Sequence, residues 1–173
     1  MVSHNESSSA LNKGTNLIIN NDKEGIKLII NKIAIILNRI IENNEFKNSV
    51  TPTKFDNKKL VNMSIESYLE RIVTMSEIEI TTLVYSFALT DKLCLHSNIS
   101  ISRRNVFKIL IVSLTTAAKM NEDYIFTEQA YSQIGGLRPK ELVILEHYFL
   151  ESINYNTVIS NIIIENYVKS LSF

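Results

Sequence analysis

Residues that break regular structure are scarce in this sequence of 173 residues: proline stands only at Pro52 and Pro139, and glycine only at Gly14, Gly25, Gly135 and Gly136. Long apolar stretches therefore run with almost no interruption. Their apolar positions recur every three or four residues, the period of a helix packed on one face. The expectation is an all-α chain. With 45% hydrophobic residues it can build one domain with a core of its own.

Helix by helix, Asp22 is read as the cap of a first segment whose stripe is Ile26, Ile29, Ile30, Ile33, Leu37 and Ile40. Residues 43–62 are polar, contain Pro52 and carry no apolar stripe, so they read as a connecting loop. Ser64 caps a second helix that buries Ile65, Tyr68, Leu69 and Ile72. Ser76-Glu77-Ile78-Glu79 has the form of a capping box for a third helix reaching about His96, with Ile80, Leu83, Val84, Phe87, Ala88 and Leu95 inward. Ser102 is the expected cap of VFKILIVSLTTAAK at 106–119, which is apolar on nearly every side and belongs at the centre of a bundle. Thr127 caps a short helix closed by Gly135-Gly136, and Pro139 suits the first turn of the next. A last amphipathic segment, 157–171, carries Val158, Ile162, Ile163 and Val168.

Charge and motifs exclude several functions. Eighteen Lys and Arg balance eighteen Asp and Glu, so the field that gathers nucleic acid or anionic lipid is missing. The apolar run at 26–41 is interrupted by Lys27, Asn31, Lys32, Asn38 and Arg39, which a membrane span does not tolerate. Met1 to Asn12 lacks the pattern of a signal peptide, and a single cysteine, Cys94, forms no internal disulfide; both favour an intracellular protein of cytoplasm or nucleus. His4, His96 and His147 lie far apart, so no metal-ligand spacing exists, and no phosphate-binding loop, nucleophile elbow or kinase catalytic signature occurs. Cys94 and His96 do not face each other on a helix, so a catalytic dyad is not expected. No catalytic residue, metal or cofactor is expected.

Two charges stand out. Glu146 lies inside the stripe Leu142, Leu145, Phe149, Leu150 and Ile153, and Lys119 ends the central helix one turn after Thr115 and Thr116. Burying either alone is costly, whereas burying them together with further hydrogen bonds is tolerable. The alternative is that Lys119 complements its helix dipole and Glu146 reaches water.

The order and spacing of several segments decide more than any one of them. SIESYLERI at 64–72, FALTDKL at 87–93, ILIVSLTTAAK at 109–119, YSQIGGL at 131–137 and KELVILEHYFL at 140–150 together resemble a cyclin box of the P-type, also called U-type. The resemblance implies a five-helix box around a buried central helix, with an additional N-terminal helix and a C-terminal helix. The organisation expected is a flexible tail at 1–21, the N-terminal helix at 22–43, a linker loop at 44–62, the cyclin box at 63–154 and a C-terminal helix at 155–173 packed on it.

By the same resemblance the partner is a cyclin-dependent protein kinase, which the chain binds and activates, with neither nucleic acid nor membrane involved. Lys119 and Glu146 match the lysine and glutamate that hold the kinase's regulatory helix; Thr116, Met120, Leu150 and Tyr155 match the ring around them, and Glu122 approaches the activation segment. The resemblance also pairs Asp91 with Arg71. It departs at Val61 to Ile65, where A-type cyclins carry a substrate-docking patch, and at Arg138, where the family favours Ser or Thr as a cap. The alternative function is a cyclin-fold scaffold or transcription-machinery adaptor that activates no kinase.

Overall fold

The computed structural model describes residues 23–47 and 50–171. Among the described residues seven helices make up the regular structure: α1 (Lys23–Phe46), α2 (Ile65–Ser76), α3 (Ile80–His96), α4 (Val106–Asn121), α5 (Glu128–Gly135), α6 (Pro139–Ser152) and α7 (Asn161–Leu171). The chain is all-α, and α2 to α6 form the five-helix box. In the central helix, α4, every residue from Val106 to Ala118 except Lys108 is buried, and α2, α3, α5, α6 all touch it. Such a helix has no solvent face to lose, so its neighbours must enclose it.

Polar groups that enter this core are paired. Thr90 of α3 donates to Ser113 of α4 at 3.0 Å, joining the two helices that share the longest contact. The Tyr68 hydroxyl of α2 donates to the Gly135 carbonyl at 3.1 Å, and burial pushes its phenol above the ordinary range. Among the described residues no buried side-chain nitrogen or oxygen lacks a hydrogen-bond partner.

Two glycines end α5 for different reasons. Gly136 takes φ 72°, the left-handed turn that closes a helix. Gly135 is there for closeness, because a Cβ at that position would lie 2.5 Å from Ile111 Cγ1 in α4.

Several helix ends fall elsewhere than the sequence reading placed them. Asp22 lies outside the described residues. α1 runs on to Phe46, past the expected end at 43, because its last turn is held from outside. Asn44 donates to the Ile101 carbonyl at 2.9 Å, and Glu45 pairs with Arg103 at 3.3 Å. The polar loop that follows hides an anchor: Phe55 is wholly buried, 5.2 Å from the Tyr148 ring and 6.5 Å from Phe149.

The capping box at Ser76 is a misreading. Ser76 is the last residue of α2, buried, with its hydroxyl on the Ile72 carbonyl; Glu77 turns the chain at φ 52°, and Glu79 precedes α3 without a side-chain cap. Burial of Val73 and Ser76 carries α2 as far as the first residue of the motif, and Ile78 turns inward after it, leaving the Glu77 and Glu79 carboxylates outside.

Ser102 likewise organises a turn instead of capping α4. Its carbonyl accepts from Asn105 and Val106, and the Asn105 side chain, at the cap position, is taken up by the Ser102 and Ser100 backbone. Ser64, Thr127 and Pro139 occupy the positions expected of them, and Arg138 caps α6 without a side-chain bond.

Leu95 is 76% exposed while Leu93 is buried, because α3 ends beside a depression that Leu95 lines with Val158 and Ile163. α7 begins at Asn161, later than expected, after an extended stretch held by Tyr85, whose hydroxyl donates to the Thr157 carbonyl and accepts from the Ile159 amide. Its inner face is Ile164, Tyr167, Val168 and Leu171; Ile162 and Ile163 face outward. Tyr167 packs edge-on against Phe87 at 5.8 Å and donates to Asp91. That bond replaces the expected Asp91–Arg71 pair, and Arg71 instead donates to the Gln133 carbonyl at 3.3 Å.

Two measurements test this packing. Replacing a helical glycine by alanine ordinarily gains about 1 kcal/mol, yet Gly135→Ala is expected to cost about 1–3 kcal/mol by overpacking Ile111, read from urea unfolding. The second concerns Glu141, whose carboxyl is held below its ordinary range chiefly by a hydrogen bond from Lys108 at 2.9 Å. A lowered carboxyl pKa adds stability that is present above the unfolded value and lost as pH falls through the folded one. Glu141→Gln is therefore expected to flatten the decline of unfolding free energy on the acid side of about pH 4.3, and to leave the remaining pH profile unchanged.

Candidate functional site

The site forms where α4 leaves the core. Its buried sequence stops at Ala118, and Lys119 is the first side chain able to reach the surface in the last turn. α6 crosses α4 with Leu142, Leu145 and Phe149 inward, and Glu146, on the same face, is only 8% exposed. The Lys119 ammonium meets both carboxylate oxygens of Glu146, at 2.7 and 2.8 Å. This bond removes the alternative in which the two side chains go their separate ways into water. A half-covered lysine bridging both oxygens supplies the charge that a nearly buried carboxylate requires.

A second carboxylate, that of Glu128 at the start of α5, stands 3.6 Å from the same ammonium. Lys119 thus sits between two acids contributed by two helices. The sequence reading missed Glu128, since an acid just after the Thr127 cap is accounted for by the helix dipole alone. Only the α4–α5 geometry gives it a second partner.

The remaining expected site residues divide. Thr116 is buried one turn inside Lys119, its hydroxyl returned to the Val112 carbonyl. Met120 is 49% exposed, with its sulfur 3.7 Å from the Thr157 hydroxyl. Leu150 is half-buried one turn beyond Glu146. Tyr155 follows α6 at φ 55°, its amide bonded to the Leu150 carbonyl at 2.7 Å and its ring exposed edge-on to His147. Val143, one turn before Glu146, is also exposed, and so are Tyr124 and Ile125 beyond α4; none of these was singled out from sequence. Glu122 does not join the Lys119 cluster, because its carboxylate accepts the Glu79 amide at 3.0 Å, at the start of α3.

Lys119 and Glu146 neutralise each other, and among the described residues no group of three or more His, Cys, Asp or Glu could hold a metal ion. Burial, reinforced by Asp91, pushes the Cys94 thiol up to about 12, which suppresses the nucleophilic thiolate. Among the described residues no helix is long and apolar enough to cross a membrane. What the arrangement offers is a charged pair with both donors and acceptors, partly desolvated and bordered by exposed apolar side chains.

That box of helices is a cyclin box, and residues 8–157 match the family model described as Cyclin. The chain belongs to the cyclin family. It is 26% identical to Cyclin-U2-1 of Arabidopsis thaliana over 84% of this chain and 68% of that protein. It is 30% identical to the PHO85 cyclin PHO80 of Saccharomyces cerevisiae over 76% of this chain and 46% of that protein. With the Nuc-1 negative regulatory protein preg of Neurospora crassa the identity is 31%, over 73% of this chain but 27% of the relative. Within the family it is a P-type or U-type cyclin.

The Lys119–Glu146 contact is measurable in the isolated chain. A double-mutant cycle of Lys119→Ala and Glu146→Ala in urea unfolding is expected to give a coupling of about 1 kcal/mol, discounted for the solvent at the lysine. Glu146→Ala alone is expected to cost less than Lys119→Ala, which leaves a nearly buried carboxylate without its ammonium partner.

Proposed function

We propose that this cyclin is the regulatory subunit of a cyclin-dependent protein kinase, which it binds and activates without transferring phosphate itself. The observation that carries the reading is the Lys119–Glu146 pair at the junction of α4 and α6, bonded in the free chain yet open on one side. Ammonium donors and carboxylate acceptors are the groups needed to bind main-chain carbonyls and amides of a docked helix. Thr116, Met120, Leu150 and Tyr155 supply the apolar border that would exclude water from those bonds.

Binding of this kind favours the kinase conformation in which the regulatory helix is rotated inward and completes the catalytic lysine–glutamate ion pair. The cyclin's contribution is then the difference between its affinities for the two conformations. Glu122 reaches the kinase activation segment in this reading by exchanging its bond to the Glu79 amide. That the yeast relative is named a cyclin of PHO85 supports a kinase partner for this chain as well.

The test mixes the purified chain with the cyclin-dependent kinases of its source and measures affinity and phosphorylation of a peptide substrate. Lys119→Ala and Glu146→Ala are each expected to weaken binding by about 2–5 kcal/mol, with substrate phosphorylation lost in parallel. Unchanged affinity in both variants, or binding without stimulation, contradicts the proposal.

A further inference from the structure

A second surface lies on the far side of α6. Ile144 is two residues from Glu146, about 200° around the helix, so it points away from the Lys119 pair. It is 61% exposed and, with Leu145 and Pro139, floors an open depression of about 790 Å³. The rim carries Lys54 from the linker and Arg138 and Lys140 from the entry to α6.

The charges on this rim are not balanced. Glu141 is the one acid lining the depression, and its carboxylate is bound to Lys108 at 2.9 Å. Asp56, two residues from Lys54, accepts from the Thr53 hydroxyl. Lys54, Arg138 and Lys140 enter no ion pair among the described residues, although the charge of Arg138 also reaches Glu141. Lys54 is steadied by the Tyr148 ring, its ammonium 4.5 Å from the ring centre. In a chain whose total charge is zero, three cations around one apolar floor are a local excess.

We infer that this depression docks an acidic segment of a partner protein, with one aliphatic side chain on Ile144 and Leu145 and flanking carboxylates facing Lys54, Arg138 and Lys140. A nucleic acid fits worse, because a phosphate backbone follows an extended basic track, and this patch is compact with an apolar floor. Charge complementarity sets both attraction and salt dependence. The inference is independent of the kinase reading, and both surfaces can be occupied together.

The experiment uses the full chain and a fluorescein-labelled twelve-residue peptide of Glu and Asp around a single Leu, read by fluorescence anisotropy. The peptide is expected to bind at low salt, to weaken severalfold as NaCl rises, and to lose at least tenfold affinity with Arg138→Glu/Lys140→Glu. All three cations are exposed, so folding is expected to survive; the single variant Lys140→Glu provides a weaker version of the same loss. Lys119→Ala is expected to leave the affinity unchanged. Absence of binding, equal binding by the charge-reversed chain, equal binding of a Leu→Ser peptide, or tighter binding of an oligonucleotide of equal charge would each overturn the assignment.

Discussion

Burial of α4 on all sides is the constraint on which the remaining structure depends. A helix that offers Ile109, Ile111, Val112, Leu114 and Ala117 to every direction cannot rest against one layer, so α2, α3, α5 and α6 must surround it. The close approaches follow from that demand. Gly135 lets α5 lie against Ile111, and Thr90 and Ser113 satisfy each other where α3 meets α4.

The same enclosure creates the site. A fully buried helix must surface somewhere, and at its last turn the first long polar side chain is Lys119. The crossing helix α6, needed to cover α4 with Leu142, Leu145 and Phe149, brings Glu146 to that point and largely out of water. The pair satisfies the carboxylate while remaining accessible from outside. A contact of this sort is a poor source of stability and a good source of specificity, since a wrong partner leaves charges unpaired.

The helices were legible because period and capping residues agree. Ser64, Thr127, Gly136 and Pro139 each have one reading. Ser76 had two, and burial chose the one that local pattern disfavoured. Phe55 was invisible because a single aromatic in a polar loop has no period to betray it; only Tyr148 and Phe149 across the fold make it an anchor. Of the site, the residue types and positions of Lys119 and Glu146 could be read from stripes and helix ends, but whether they meet depends on the angle between α4 and α6. Glu128 and the Asp91–Tyr167 bond lay beyond reach for the same reason, being contacts between helices distant in sequence.

The central claim is that the face formed by the end of α4 and the Glu146 side of α6 is where the kinase docks. Hydrogen exchange of the chain, free and bound to its kinase, tests it most directly. The account predicts new protection concentrated at residues 116–122 and 146–155, with residues 138–145 around the Ile144 depression and α7 unchanged. Protection confined to α7 and the end of α3, with exchange at the Lys119–Glu146 junction unaltered, would contradict it.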